Sequence, residues 1–198
     1  MGFPILPFFL IFLIWLAIRL RSLDAKQEKQ QEEFWARERA ANTTPAKDIS
    51  NLRYITIPID KFPINFSDDP EVLKIENELK ELSSHKLLNL TGKSNTDLKL
   101  EYGLPNFEIM SQISDDFDRM CVLLNSYAKA LKEAGRDDDV LCVLEFAIGA
   151  GTDISESYTM LADCYKNRKQ DEKLQFLKDK VASSDLLLKN SILNKIDA

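Results

Sequence analysis

Acid–base chemistry has almost nothing to work with in this chain, because its 198 residues include a single histidine, His85. Histidine is the side chain whose ordinary pKa lies near neutrality, so a proton-shuttling site would have to be built from something else. His85 stands between Ser84 and Lys86 at the expected end of a helix, where it reads as an exposed or capping residue with no nucleophile or carboxylate organised around it. Cysteine is scarce as well. Cys121, Cys142 and Cys164 are an odd number, about one per helix-sized segment and without a Cys-x-x-Cys pair, which suggests reduced thiols rather than a disulfide framework or a zinc cage. Cations are in deficit, 26 Lys and Arg against 32 Asp and Glu for a formal net charge of −6. The basic footprint of a nucleic-acid binder is missing, and no nucleic-acid partner is expected.

Phosphate-binding glycine loops are lacking too. Gly92-Lys93-Ser94 has Leu87 where a P-loop needs its first glycine, and Gly149-Ala150-Gly151 has Ile154 where a dinucleotide fingerprint needs its third. Asp115, Asp116 and Asp118, like Asp137 to Asp139, stand at helix starts, where acids complement the helix dipole, and neither run has calcium-loop spacing. No metal and no cofactor is therefore expected.

What is present begins with an apolar run. From Phe3 to Ile18 there is no charge and no hydrogen-bonding side chain except the Trp15 indole. An all-round apolar helix suits lipid, and with Arg19 and Arg21 snorkelling to headgroups it approaches the lower limit of a bilayer crossing. Pro4 and Pro7 fall in the first turns, where a missing amide proton costs least. A cleaved signal peptide and an interfacial helix are the rivals; the absence of a basic leader and of a small-residue cleavage site argues against the former. Arg19, Arg21, Lys26 and Lys29 follow the run, so the expected topology is a single-pass cell-membrane protein with its N-terminus outside and the rest cytoplasmic. The sequons at Asn42, Asn65 and Asn89 would matter only in the opposite orientation.

From Leu20 to about Ala41 the chain is rich in good helix formers, which predicts a stalk. Leu16, Leu20, Leu23, Gln27, Gln30 and Phe34 alternate spacings of four and three, a short heptad seam that would allow a homodimer, although a solvated stalk has the same composition. Asn42-Thr43-Thr44-Pro45 breaks it and starts a linker. Ile55, Ile57 and Ile59 alternate in a segment interrupted by Pro58 and Pro63, which predicts an extended arm or an edge strand. Asp69 and Pro70 predict a helix start, with Val72, Ile75, Leu79 and Leu82 as its apolar stripe. Leu87 to Tyr102 is compatible with a hairpin or with a helix capped by Thr96 or Asp97.

Past Pro105 no proline recurs, and a shift of 34 residues aligns apolar or small positions. Leu124 falls on Tyr158, Tyr127 on Leu161, Ala128 on Ala162, Leu131 on Tyr165, Val140 on Leu174 and Ala147 on Val181. Two helix pairs are predicted, Asp116 to Ala134 with Asp138 to Ile148, and Ser155 to Asn167 with Asp171 to Ser183, closed by a capping helix from Leu186 to Ile196. Gly135 provides the left-handed residue after the first helix, and Gly149 to Thr152 separates the copies.

Residues 121 to 188 resemble the tetratricopeptide repeat family, most clearly in Tyr158-Thr159-Met160-Leu161-Ala162-Asp163-Cys164-Tyr165, with Ala128 and Ala162 at the small position of helix A. Val140 and Leu174 in place of an alanine, Lys169 in place of the turn glycine, and Leu186 in place of a proline depart from the pattern. With the apolar run, the stalk and the arm, the resemblance gives an expected fold that is mainly α: a transmembrane helix and helical stalk, then a TPR-like domain with a small extended or hairpin element. The expected division is an anchor over 1–19, a stalk and linker over 20–46, an N-terminal capping part over 47–115, two hairpins over 116–184 and a C-terminal cap over 185–198. The resemblance also implies a partner groove along the A helices, lined by Asn125, Lys129 and Lys132 in the first copy and Thr159, Asp163 and Lys166 in the second. Their mixed charge departs from the cationic and asparagine set that clamps a C-terminal carboxylate.

The expected function is a membrane-tethered adaptor without catalytic activity, held to lipid by residues 3–18 and binding a protein or peptide. The alternatives are a structural subunit of a membrane assembly, or an enzyme built on the loop from Thr91 to Asp97 with His85.

Overall fold

The computed structural model describes residues 5–197, and among these the fold is helical, with one isolated antiparallel bridge between Ile55 and Leu87 as its only β pairing. The chain divides into two compact units, Met1–Ile49 with Lys93–Glu108, and Ser50–Gly92 with Ile109–Ala198. Residues 93–108 group with the stalk.

In the first unit, helix α1 runs unbroken over Ile5–Asn42. The expected membrane span over 3–18 falls partly outside the described residues, namely 1–4 and the side chains of 5–8, 10, 14 and 17. Among the described residues no helix is long and apolar enough to cross a membrane. The apolar segment is instead the first part of a longer helix that becomes charge-rich after Ile18. Phe9, Ile11, Phe12, Leu13, Trp15 and Ile18 are all exposed, and at 100° per residue they span about 220° of the helix circumference.

The far end of α1 is gripped by helix α3, Asn95–Tyr102. Ser94 caps α3 by accepting from the Asp97 N–H, while the Asp97 carboxylate accepts the Ser94 N–H at 2.9 Å. This reciprocal pair resolves the hairpin-or-helix ambiguity in favour of a helix, with the cap one turn earlier than Thr96 or Asp97. Arg37 pairs with Asp97, Thr96 donates to Glu38, and Lys99 reaches Asn42 at 3.0 Å and Glu38 at 3.8 Å around a fully buried Ala41. The expected linker is also tied down. The Lys47 N–H donates to the Tyr102 carbonyl, the Leu104 N–H to Thr44, and the Asn106 amide to the carbonyls of Lys47 and Tyr102. Gly103, at φ +91°, lies so close to this strap that a Cβ would come within 2.2 Å of the Pro45 carbonyl oxygen.

In the second unit the arm keeps the expected alternation: Ile57 is buried, Ile55 and Ile59 pack partly against the core, and Thr56 faces out. Pro58 and Pro63 hold the pairing to a single bridge, Ile55 N–H to Leu87 O at 2.7 Å. Helix α2, Pro70–Leu82, begins as expected, with the Asp69 carboxylate accepting the Glu71 N–H at 2.8 Å. It buries Val72, Leu79 and Leu82, and also Glu76, which is fully enclosed. That carboxylate accepts the Tyr127 hydroxyl at 3.0 Å and the Asn65 N–H at 2.8 Å, which pins the arm and α2 to the helix that carries Tyr127. Burial, reinforced by Glu76, pushes the Tyr127 hydroxyl pKa well above its usual value.

Helices α4 (Phe107–Glu133), α5 (Asp137–Ala150), α6 (Ser155–Asn167), α7 (Asp171–Ser183) and α8 (Lys189–Asp197) follow. The last four lie close to the expected ranges; α4 starts nine residues before Asp116, since nothing between Phe107 and Asp116 interrupts a helix. Gly149 lies within α5, which ends instead at Gly151, φ +91°. The stride of 34 is written into the backbone. Gly135 and Lys169 both take positive φ, +70° and +54°. The Arg136 N–H bonds to Leu131 O as the Gln170 N–H bonds to Tyr165 O, each at 2.9 Å, and Gly135 to Lys132 as Lys169 to Lys166, each at 3.0 Å. These are two copies of one Schellman turn. The aligned core pairs are buried together: Leu124 with Tyr158, Tyr127 with Leu161, Ala128 with Ala162, Leu131 with Tyr165, and Ala147 with Val181.

Candidate functional site

The six groove positions expected from the repeat lie on α4 and α6, and the structure treats them unequally. Asn125 is 8% exposed and both ends of its amide are engaged, Nδ2 donating to Glu156 at 3.1 Å and Oδ1 accepting the buried Ser157 hydroxyl at 3.0 Å. It is a bolt between the two helices, with nothing left to offer a ligand. Lys129 pairs with Glu156 at 2.6 Å and Lys132 with Asp163 at 3.7 Å, both largely exposed. Hydrogen bonds from Lys129 and then Asn125 hold the Glu156 carboxyl below the usual carboxylate range. Thr159 turns back to the Glu156 carbonyl, 3.0 Å away. Lys166 is exposed, with no ion pair among the described residues. So the structure joins Asn125, Lys129, Lys132 and Asp163 in a polar seam between the A helices, and leaves Thr159 and Lys166 outside it.

Glu156 and Ser157, which complete this seam, escaped the sequence reading. A usable signal was there, since Asp163 is the repeat equivalent of Lys129. Reversed charge at equivalent positions is what allows adjacent copies of one helix to pair rather than repel.

A second feature of this unit is an open cleft of about 500 Å³ between α5, α6 and α7. Its apolar floor is Ile148, Leu161, Tyr165, Phe176 and Leu177, with Phe176 71% exposed. At its rim Glu145 accepts from the Tyr165 hydroxyl at 2.9 Å and from Lys173 at 2.8 Å. Burial works against ionisation there, but the Lys173 and Tyr165 hydrogen bonds prevail and hold the Glu145 carboxyl low. Lys180 donates to the Ile148 carbonyl at 2.7 Å, and burial lowers its pKa.

The histidine has a partner that sequence did not reveal. His85 Nδ1 lies 2.9 Å from Asp116 Oδ2, and Gln112 donates to the other carboxylate oxygen at 2.8 Å. An acid that orients an imidazole is one part of a catalytic dyad. Among the described residues no hydroxyl or thiol is hydrogen-bonded to this ring: the Ser83 and Ser84 hydroxyls are spent on the carbonyls of Lys80 and Glu81. The thiols are poor nucleophiles for another reason. Burial pushes Cys121 up to about 12 and raises Cys142 and Cys164 as well, so thiolate is scarce at neutral pH. Of the loop once considered for chemistry, Ser94 and Asp97 form the α3 cap and Lys93 pairs with Glu101.

The acidic runs are likewise occupied. Asp138 pairs with Arg168, and Asp139 with Arg136 at 2.6 Å. Asp118 is shifted upward by burial and by its neighbours Asp153 and Asp115. Among the described residues no group of three or more His, Cys, Asp or Glu side chains could hold a metal ion. In comparisons with known proteins, no family model, no curated protein and no solved structure matches this chain.

Proposed function

We propose that this protein is a membrane-tethered adaptor whose paired helices form a TPR-like module that binds a protein or peptide, without catalysis of its own. The observation that carries the proposal is the turn that recurs after 34 residues with the same hydrogen bonds and the same positive φ at Gly135 and Lys169. Stacked helix hairpins present a continuous ridged surface and are used for binding extended partners. The tether is supported by the exposed apolar side chains of Phe9, Ile11, Phe12, Leu13, Trp15 and Ile18 on α1, which water would leave costly and lipid would cover. The orientation is supported by the basic residues that follow that segment, Arg19, Arg21, Lys26 and Lys29, and by three free cysteines.

The side chains left for partner contact are Thr159 and Lys166, since Asn125, Lys129, Lys132 and Asp163 are engaged between the helices. Reversing Lys129 or Lys132 would set two acids against each other, at Glu156 or at Asp163, so Lys166→Glu is the cleaner variant. Full-length protein with this change should lose the partners captured by the parent while its melting temperature stays within about 2 °C; undiminished capture removes this face from the proposal. For topology, Cys142 is the partly exposed thiol. A membrane-impermeant maleimide should modify it after lysis and not in intact cells, whereas labelling of intact cells reverses the orientation.

A further inference from the structure

The half of α1 nearer the apolar segment has a face that is exposed among the described residues from Leu20 to Phe34. Leu20 is 51% and Phe34 54% exposed, and Gln27 and Gln30 between them are exposed as well. With Leu16 and Leu23 these residues alternate spacings of four and three, so they form one seam when a second helix winds about the first. The seam stops where intramolecular packing begins: one heptad beyond Phe34 the same face carries Ala41, fully buried against α3. One face of the helix is thus used within the chain at Ala41 and exposed, among the described residues, between Leu20 and Phe34, about 21 Å of helix.

We infer that the occupant is a second copy of this chain, lying parallel and in register along Leu16 to Phe34. Two properties favour a copy over an unrelated helix. A glutamine amide both donates and accepts, so Gln27 can pair with its own equivalent across a two-fold axis, whereas a purely apolar partner would leave it unsatisfied. Charge along the seam is also self-complementary. In parallel register Arg19 of each chain faces Asp24 of the other, twice over, and Lys26 faces the neutral Gln31. An antiparallel arrangement centred on the seam would set Lys26 against Lys26 and Asp24 against Asp24 but Arg19 against Glu33, so it is the shared tether rather than charge that sets the parallel alignment. The unfavourable parallel pair, Glu33 facing Glu38, is eased because Glu38 already holds Lys99 and Thr96 of its own chain.

Fewer than three heptads are marginal for helices meeting freely in water. The pairing therefore relies on the membrane tether proposed above, which would align two copies the same way up and raise their local concentration.

Single cysteines at Leu20, Gln27 and Gln30 on the seam, and at Glu28 and Glu32 on the far side, test it in full-length protein in native membranes, oxidised with copper phenanthroline. The parent supplies the background from its own thiols. Seam positions should give a disulfide-linked dimer at least fivefold more than far-side positions, and adding Gln27→Lys to the Gln30→Cys variant should remove most of it. Equal cross-linking at all five positions, or none at any, overturns the proposal. Alkaline carbonate extraction of the same membranes reads the tether separately: protein that is extracted yet cross-links on the seam alone keeps the dimer and discards the anchor, and protein that stays in the pellet without cross-linking does the reverse.

Discussion

The two helix pairs of the second unit share a turn but not an environment. In the first pair, α5 buries Val140, Leu141, Val143, Leu144, Ala147 and Ile148; in the second, α7 buries only Leu177 and Val181, and Leu174 at the position of Val140 is half-exposed. The backbone between the helices is nonetheless the same in both, down to the bond lengths at Arg136 and Gln170. Repetition here governs the geometry of each hairpin, while rank in the stack governs how much of it is covered. The face that α7 leaves uncovered is the cleft with Phe176 at its edge.

Truncations can break this comparison. Leu144→Ala removes a side chain with no solvent exposure and should cost about 3–4 kcal/mol, whereas Leu177→Ala, beside an open cleft into which neighbours can settle, should cost about 2 kcal/mol. Urea denaturation of the full chain reads both, and equal losses would show that α7 is as enclosed as α5. The turns sharpen the comparison with smaller effects. Gly135→Ala places a Cβ on a left-handed residue with open space around it, so only backbone strain is added, and about 1 kcal/mol should be lost. Lys169→Gly at the matching site relieves that strain and should stabilise by roughly 0.5 kcal/mol. A loss at position 169 would mean that the lysine side chain contributes more than its backbone costs.

Helix boundaries were legible where capping chemistry is local. Asp69 with Pro70 announced α2, and a stride of 34 announced α6 and α7 to the residue. The resemblance flagged Lys169 as a departure from the turn glycine, and the structure keeps the glycine's conformation with a lysine in it. What was not legible depends on contacts far apart in sequence. The clasp that joins 93–108 to the stalk rests on pairs such as Arg37 with Asp97, sixty residues distant, and no periodicity encodes such a pairing. The candidate groove was half legible for the same reason. Repeat position told which side chains lie on the A helices, but whether an amide such as Asn125 faces a ligand or a neighbouring helix depends on Ser157 and Glu156 from the next copy. His85 read as a bystander because its carboxylate lies 31 residues away, on α4.

The strap around Gly103 leaves α1 no slack at its lower end, so the angular setting of everything above it is a matter of residue count alone. Each residue inserted between Lys26 and Glu32 would turn the greasy end by about 100° and lift it by about 1.5 Å, while seven would return it to within about 20° of its starting phase. The helix behaves as a keyed shaft: its length can change in steps of one heptad without disturbing which side faces a neighbour, and in no smaller step.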